Sequence, residues 1–236
     1  MSLMRSVPIT CPFCGKISNF TRWDSINTEL NPEMKAAVRD RSAFRFICPE
    51  CGSKSYVDYD FLYHQMEDRI MIQYASSDED AEKFYNLFTG KTKPNKMLDT
   101  LKSGYLIRIV RSLPELLEKL AIFDAGLDDR IVKIIKLFMM LDFQTKHPDW
   151  KNISTCFFTD EGKHFIQLFT EGKLKAELEL SPDVYNAFLD VYGRRLPDIR
   201  SADPFIDLHW AMKAMRTMID KEENEHEHDG SGLCGL

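Results

Sequence analysis

The chain has 236 residues, of which 44% are hydrophobic and 29% charged, and its formal net charge is −6. This length allows one or two domains with buried cores. No run of about 18 apolar residues occurs, so a membrane-spanning helix is excluded. The first 74 residues contain nine basic and nine acidic side chains. Because neither half carries a basic stripe, nucleic-acid binding is not expected.

The region from Met1 to Thr10 has no apolar run of the kind found in secretory signals. We therefore expect a cytoplasmic protein, in which thiols stay reduced and clustered cysteines are usually metal ligands rather than disulfides.

Two copies of the motif Cys-Pro-x-Cys-Gly, at Cys11–Gly15 and Cys48–Gly52, are the strongest signal in the chain. Proline sets φ inside a tight turn, and glycine allows the positive φ with which the chain folds back. Two such turns facing one another place four sulfurs around one point. The spacing therefore predicts a metal site, with these ligands: Cys11, Cys14, Cys48 and Cys51.

Four thiolates leave no open coordination position, which is typical of structural zinc rather than catalytic zinc. We therefore expect Zn²⁺ that stabilises the fold of a small segment. Iron in a rubredoxin-like site uses nearly the same turns and stays open as the minor alternative, because the metal cannot be identified from the ligands alone.

The first domain is predicted over residues 4–90 as a zinc-ribbon-like β domain with a helical insertion. Its inserted helix begins after Asn31 as N-cap and Pro32 at the first helical position. Ser76-Ser77-Asp78-Glu79 is a capping signature for a further helix that runs to Phe88, with Gly90 as its stop. The predicted elements are strands at 16–23, 43–47, 56–59 and 70–74, and helical segments at 33–41, 61–67 and 78–88.

These motifs resemble the CpXC domain, a bacterial and archaeal module named for its cysteine pairs. The resemblance rests on the doubled Cys-Pro-x-Cys, on Trp23–Asn27, and on Leu62–Glu67 followed by Arg69–Ile72. It covers about residues 7–75 and continues through Gly104 to Lys136. It implies four zinc-binding cysteines and no particular activity.

A linker is predicted at 91–95, around Pro94, followed by a second, α+β domain over 96–222. Clean alternation in Lys173–Leu180 and turn signals at Asp160–Gly162 and Glu171–Gly172 predict a three-stranded antiparallel meander with one buried face. The other predicted elements are a strand at 105–111 and helices at 112–123, 127–143, 182–192 and 205–222. The tail at 223–236 is acidic and glycine-rich, so disorder is expected there.

Other polar residues have simpler structural explanations. Asp128 and Asp129 are expected to interact with the exposed N–H groups of a helix start rather than act as an acid–base pair. His64 is expected to be a hydrogen-bonded structural histidine, and Cys156 a buried thiol. Cys234 is expected to be a free thiol in the tail.

No catalytic triad, phosphate-binding glycine loop or other cofactor-binding residue is predicted, and an enzyme is not favoured. The preferred hypothesis is a zinc-stabilised scaffold that binds a protein or a small ligand. The alternatives are a regulatory, nucleic-acid-associated ribbon and an enzyme with a site between the two domains. Oligomeric state and ligand identity do not follow from the sequence.

Overall fold

The computed structural model describes residues 2–90, 104–200 and 203–229. The chain forms two compact units: Met1–Leu120 with Asp198–Phe205, and Ala121–Pro197 with Ile206–Leu236. The predicted linker at 91–95 lies outside the described residues. The division falls later than predicted, inside a helix, because a strand after the linker pairs within the sheet of the first unit.

The first unit is built on a five-stranded sheet with the order β1-β2-β5-β6-β7. Antiparallel pairing joins β1 to β2 and β5 to β6, whereas β2–β5 and β6–β7 are parallel. A separate hairpin of β3 and β4 carries the second cysteine pair. The strands are β1 (Leu3–Thr10), β2 (Ile17–Asn27), β3 (Arg45–Ile47), β4 (Lys54–Tyr56), β5 (Phe61–Gln65), β6 (Ile70–Tyr74) and β7 (Leu106–Val110).

Helices α1 (Glu33–Arg39) and α2 (Asp78–Phe88) belong to this unit, and α3 (Leu113–Asp124) runs across the division between the units. The Ser77 side chain accepts the backbone N–H of Asp80 and caps α2, within the predicted capping signature Ser76–Glu79. The predicted Asn31 cap of α1 is wrong. Pro32 holds the cap position without a side-chain bond, and the Asn31 amide instead donates to Glu33.

The predicted helical segment at 61–67 is also wrong, because Phe61–Gln65 is strand β5. Its side chains alternate between fully and half-buried positions, the period-two pattern of a strand. Strand β5 lies between β2 and β6, so hydrogen bonds to both neighbours override the local preference.

The second unit contains the predicted antiparallel meander, in the order β10-β9-β8. Its strands are β8 (Ile153–Asp160), β9 (Lys163–Thr170) and β10 (Lys173–Glu179). Helix α4 (Asp129–Lys146) contacts β8, α5 (Pro182–Tyr192) and α6 (Leu208–Asp229). The core cluster joins α4, α5, β8 and β9 through Ile131, Ile135, Phe157, Ile166 and Tyr185. The mixed α+β class is therefore as predicted.

Two features of this unit differ from prediction. Helix α6 continues to Asp229, through residues 223–229 that were expected to be disordered. Strand β10 does not have a fully buried face, since Leu174 and Leu178 are 52% and 40% exposed. A bulge between Leu174 and Ala176 shifts the pairing with β9 and interrupts the alternation.

Candidate metal centre

The first cysteine turn connects β1 to β2. The Cys11 N–H donates to the Lys16 carbonyl at 2.9 Å, and the Cys11 carbonyl accepts the Gly15 N–H at 3.0 Å. Gly15 has φ +72°, and a Cβ atom placed there would meet nothing within 4 Å. The glycine is therefore required by the left-handed backbone rather than by lack of space.

The second turn repeats the first between β3 and β4. The Cys48 N–H donates to the Ser53 carbonyl at 3.0 Å, the Cys48 carbonyl accepts the Gly52 N–H at 2.9 Å, and Gly52 also has φ +72°. The same motif therefore folds into the same hydrogen-bonded turn at both places.

The two turns bring the four sulfurs together. All four Sγ atoms lie within 4.8 Å of one another, and the Cys11–Cys51 and Cys14–Cys48 Sγ pairs are each 3.7 Å apart. Cys11 and Cys48 are buried, whereas Cys14 and Cys51 are exposed. The four sequence-predicted residues thus form one cluster with the donor atoms and the spacing to hold a metal ion.

The thiols of this cluster differ in acidity. Hydrogen bonds from the Ser53 hydroxyl and backbone lower the pKa of Cys51 to about 6. The Lys16 backbone N–H favours the Cys14 thiolate, but desolvation and the three neighbouring sulfurs outweigh it and raise the pKa of Cys14 to about 12. The neighbouring sulfurs therefore disfavour the thiolate of Cys14 but favour that of Cys51. A bound cation would favour the thiolate form of all four cysteines.

Aromatic side chains pack the hairpin of the second turn against the main sheet. Phe46, in β3, is 3% exposed, and its ring lies 6.5 Å from that of Phe20 in β2. Phe44 packs between Tyr59 and Phe61, with ring centroids 5.5 and 5.4 Å away. Burial raises the pKa of Tyr59 to about 12. The cluster of rings fixes the β3–β4 hairpin, and hence Cys48 and Cys51, against the main sheet.

A polar network that the sequence analysis missed attaches the inserted helix to the sheet. Arg39 of α1 donates to the Tyr63 hydroxyl at 2.9 Å and to the Gln65 side-chain oxygen at 3.2 Å. Tyr63 also donates to Gln65, at 2.8 Å. Tyr63 and Gln65 alternate as in a strand, which is the signal in the sequence for this contact, whereas the prediction over 61–67 is helical.

The remaining candidates lie outside the cysteine cluster. His64 was expected to be hydrogen-bonded, but its Nε2 atom is buried without a hydrogen-bond partner among the described residues. Its ring lies 5.2 Å from that of Tyr105, and burial lowers its pKa. Cys156 is half-buried rather than fully buried, and Cys234 lies outside the described residues.

Asp128 occupies the predicted helix start. Its carboxylate accepts the backbone N–H of Arg130 at 2.9 Å and is the N-cap of α4. Asp129, in the first turn, is fully buried. The expected role at the N-terminus of a helix is therefore confirmed for Asp128.

A family model described as CpXC protein matches residues 9–136, more than half of the chain and inclusive of both cysteine turns. The chain belongs to this family. No curated protein and no solved structure matches it. Among the helices of the described residues, none is long and apolar enough to cross a bilayer.

Proposed function

We propose that the protein is a non-enzymatic scaffold in which Cys11, Cys14, Cys48 and Cys51 hold one structural Zn²⁺ ion. In a tetrahedral site with Zn–S bonds of about 2.3 Å, neighbouring sulfurs are about 3.8 Å apart. The 3.7 Å separations of both cross-turn Sγ pairs match this edge length. This agreement is the observation that carries the proposal.

Four thiolates would complete the coordination of zinc, leaving no position for an activated water or a substrate. The ion would instead join the β1–β2 turn to the β3–β4 turn, which the sequence separates by more than 30 residues. Metal binding then contributes directly to folding, because the site forms only when both turns are in place. A reducing compartment, the cytoplasm, keeps these thiols available.

Elemental analysis of the purified chain tests the metal. We expect about one zinc per chain, with loss of the metal in Cys14→Ser and retention in Cys156→Ser, whose thiol is outside the cluster. Visible thiolate-to-iron absorption with stoichiometric iron, or a metal-free chain with two disulfides, would overturn the proposal.

A further inference from the structure

We propose that the free edge of β10 and the apolar cavity beside it bind an extended peptide with one large apolar side chain between two basic ones. This inference specifies the partner of the proposed scaffold, and it uses only residues of the second unit. Its failure would leave the zinc proposal untouched, because metal content is measured separately.

The first observation is an edge strand with unused backbone groups. Within the part of the chain that the structure describes, β10 pairs with β9 alone. An edge of this kind offers N–H and C=O groups that another extended chain can satisfy by adding a strand.

The second observation is a cavity of about 350 Å³ along the same strand. Its walls come from α4, β10 and α5, and include Phe138, Leu178, Val184 and Phe188. Phe138, Leu178 and Val184 are 38%, 40% and 44% exposed, so the core is incompletely covered here. A cavity of this size and lining suits one large apolar group.

The register of the sheet determines which peptide residues meet which side chains. Leu178 lies opposite the buried Ile166, so a peptide residue paired with Leu178 points to the cavity face. Its two neighbours would point to the other face and lie opposite Glu177 and Glu179. These two carboxylates are exposed and contact Gln167 at 2.8 Å and Lys163 at 3.7 Å, both on β9. Opposite charges are favourable in directly facing cross-strand positions, which selects a basic–apolar–basic segment.

A second copy of the chain does not satisfy this geometry. Its own Lys173-Leu174-Lys175 has the right composition, and a two-fold antiparallel pair would place Leu174 opposite Leu178. The bulge, however, puts Leu174 opposite Phe169, on the face away from Ile166 and Leu178. Directly paired residues must share a face, so this two-fold pairing does not fill the cavity, and we infer that the segment comes from a different protein.

Fluorescence anisotropy with two labelled ten-residue peptides tests the proposal on the full chain. Both are built of glycine and serine around a central leucine, which is flanked by two lysines in one and by two glutamates in the other. We expect saturable binding of the lysine peptide, about ten-fold tighter than that of the glutamate peptide. Equal binding of the two, or no binding of either, would overturn the proposal.

Matched variants test whether peptide binding depends on the cavity or on other side chains of β10. Leu178→Ser should weaken binding of the lysine peptide about ten-fold by removing a cavity wall. Leu174→Ser, at an exposed leucine of the same strand, should leave binding unchanged. Equal losses in both would contradict the assigned site.

The charge-reversal variant E177K/E179K should prefer the glutamate peptide, and unchanged preference would contradict the assigned register. Sedimentation should show that the association state is the same in wild type and Leu178→Ser. Dimerisation that depends on Leu178 would assign the edge to a second copy instead.

Discussion

The Cys11 and Cys51 sulfurs lie 3.7 Å apart, although 40 residues separate them in the chain. Each comes from a turn that forms through its own short-range hydrogen bonds. Because the turns are local, the relative position of the two sulfurs depends on the elements between them, namely β2, α1 and the β3–β4 hairpin. The cysteine cluster is thus a long-range contact between two locally determined turns.

The first prediction is that loss of one ligand acts locally. Cys48→Ser should greatly increase backbone hydrogen exchange over residues 1–74, because three thiolates and a hydroxyl no longer bind zinc tightly enough to join the turns. The core around Ile131, Phe157 and Ile166 contains none of these residues, so its exchange should change little. Mass-spectrometric exchange on the full chain measures both regions.

Cys156→Ser is the matched control, since it removes a half-buried thiol of the second unit. It should leave exchange over residues 1–74 unchanged. Uniformly increased exchange throughout Cys48→Ser would show that the two units share one cooperative core.

The second prediction concerns the rings beneath the second turn. Phe44→Ala should lower the free energy of unfolding by about 3–5 kcal/mol, because Phe44 is 1% exposed and its loss leaves a cavity beside Tyr59 and Phe61. Phe13→Ala changes a phenylalanine that is 68% exposed and lies within the first cysteine motif. It should alter stability by less than about 0.5 kcal/mol. Urea denaturation compares the two, and similar losses would contradict the assigned core.

The sequence predicted those parts of the fold that short-range chemistry determines. The cysteine turns follow from proline, glycine and cysteine at fixed spacing, and the structure brings all four sulfurs together. The meander follows from turn residues at Glu161 and Glu171, both followed by glycine, and both glutamates have positive φ. Such features need no information from distant parts of the chain.

The errors occur where distant segments decide the structure. Strand β5 was interpreted as helical because its partners, β2 and β6, cannot be identified from its own residues. Strand β1 was missed because most of its side chains are exposed, so it has no apolar alternation. Strand β7 joins the first sheet by parallel pairing with β6, which no local pattern indicates.

The third prediction is a pH dependence at His64. Burial lowers its pKa below the ordinary value of 6.5, so the folded state favours the neutral ring. As pH falls below about 6.5, the unfolded state binds the proton more readily, and stability decreases until the folded-state pKa is passed. His64→Gln removes this effect. Its Tm should therefore fall less than that of wild type between about pH 7.5 and 5.5, measured by circular dichroism. An equal fall in both would contradict the prediction.

The fourth prediction concerns the ion pair at the start of α4. Besides capping the helix, Asp128 contacts the Arg130 guanidinium at 2.7 Å, and Arg130 is only 4% exposed. Arg130 also donates to the Pro197 carbonyl, and the Tyr185 hydroxyl accepts the Asp128 N–H at 2.8 Å. Asp128→Ala leaves a buried guanidinium without its carboxylate and should cost about 3 kcal/mol in the free energy of unfolding.

Asp128→Asn keeps a capping oxygen and one acceptor for Arg130, so it should cost less than Asp128→Ala. Urea denaturation of both variants gives their free energies of unfolding and so shows which substitution costs more. The same comparison distinguishes a structural carboxylate from a catalytic one. If Asp128 is structural, the Asp128→Ala protein is less stable than wild type. It still binds its partner at β10 under conditions where it remains folded. An Asp128→Asn protein with wild-type stability and a lost chemical activity would instead support an enzyme with Asp128 in its site.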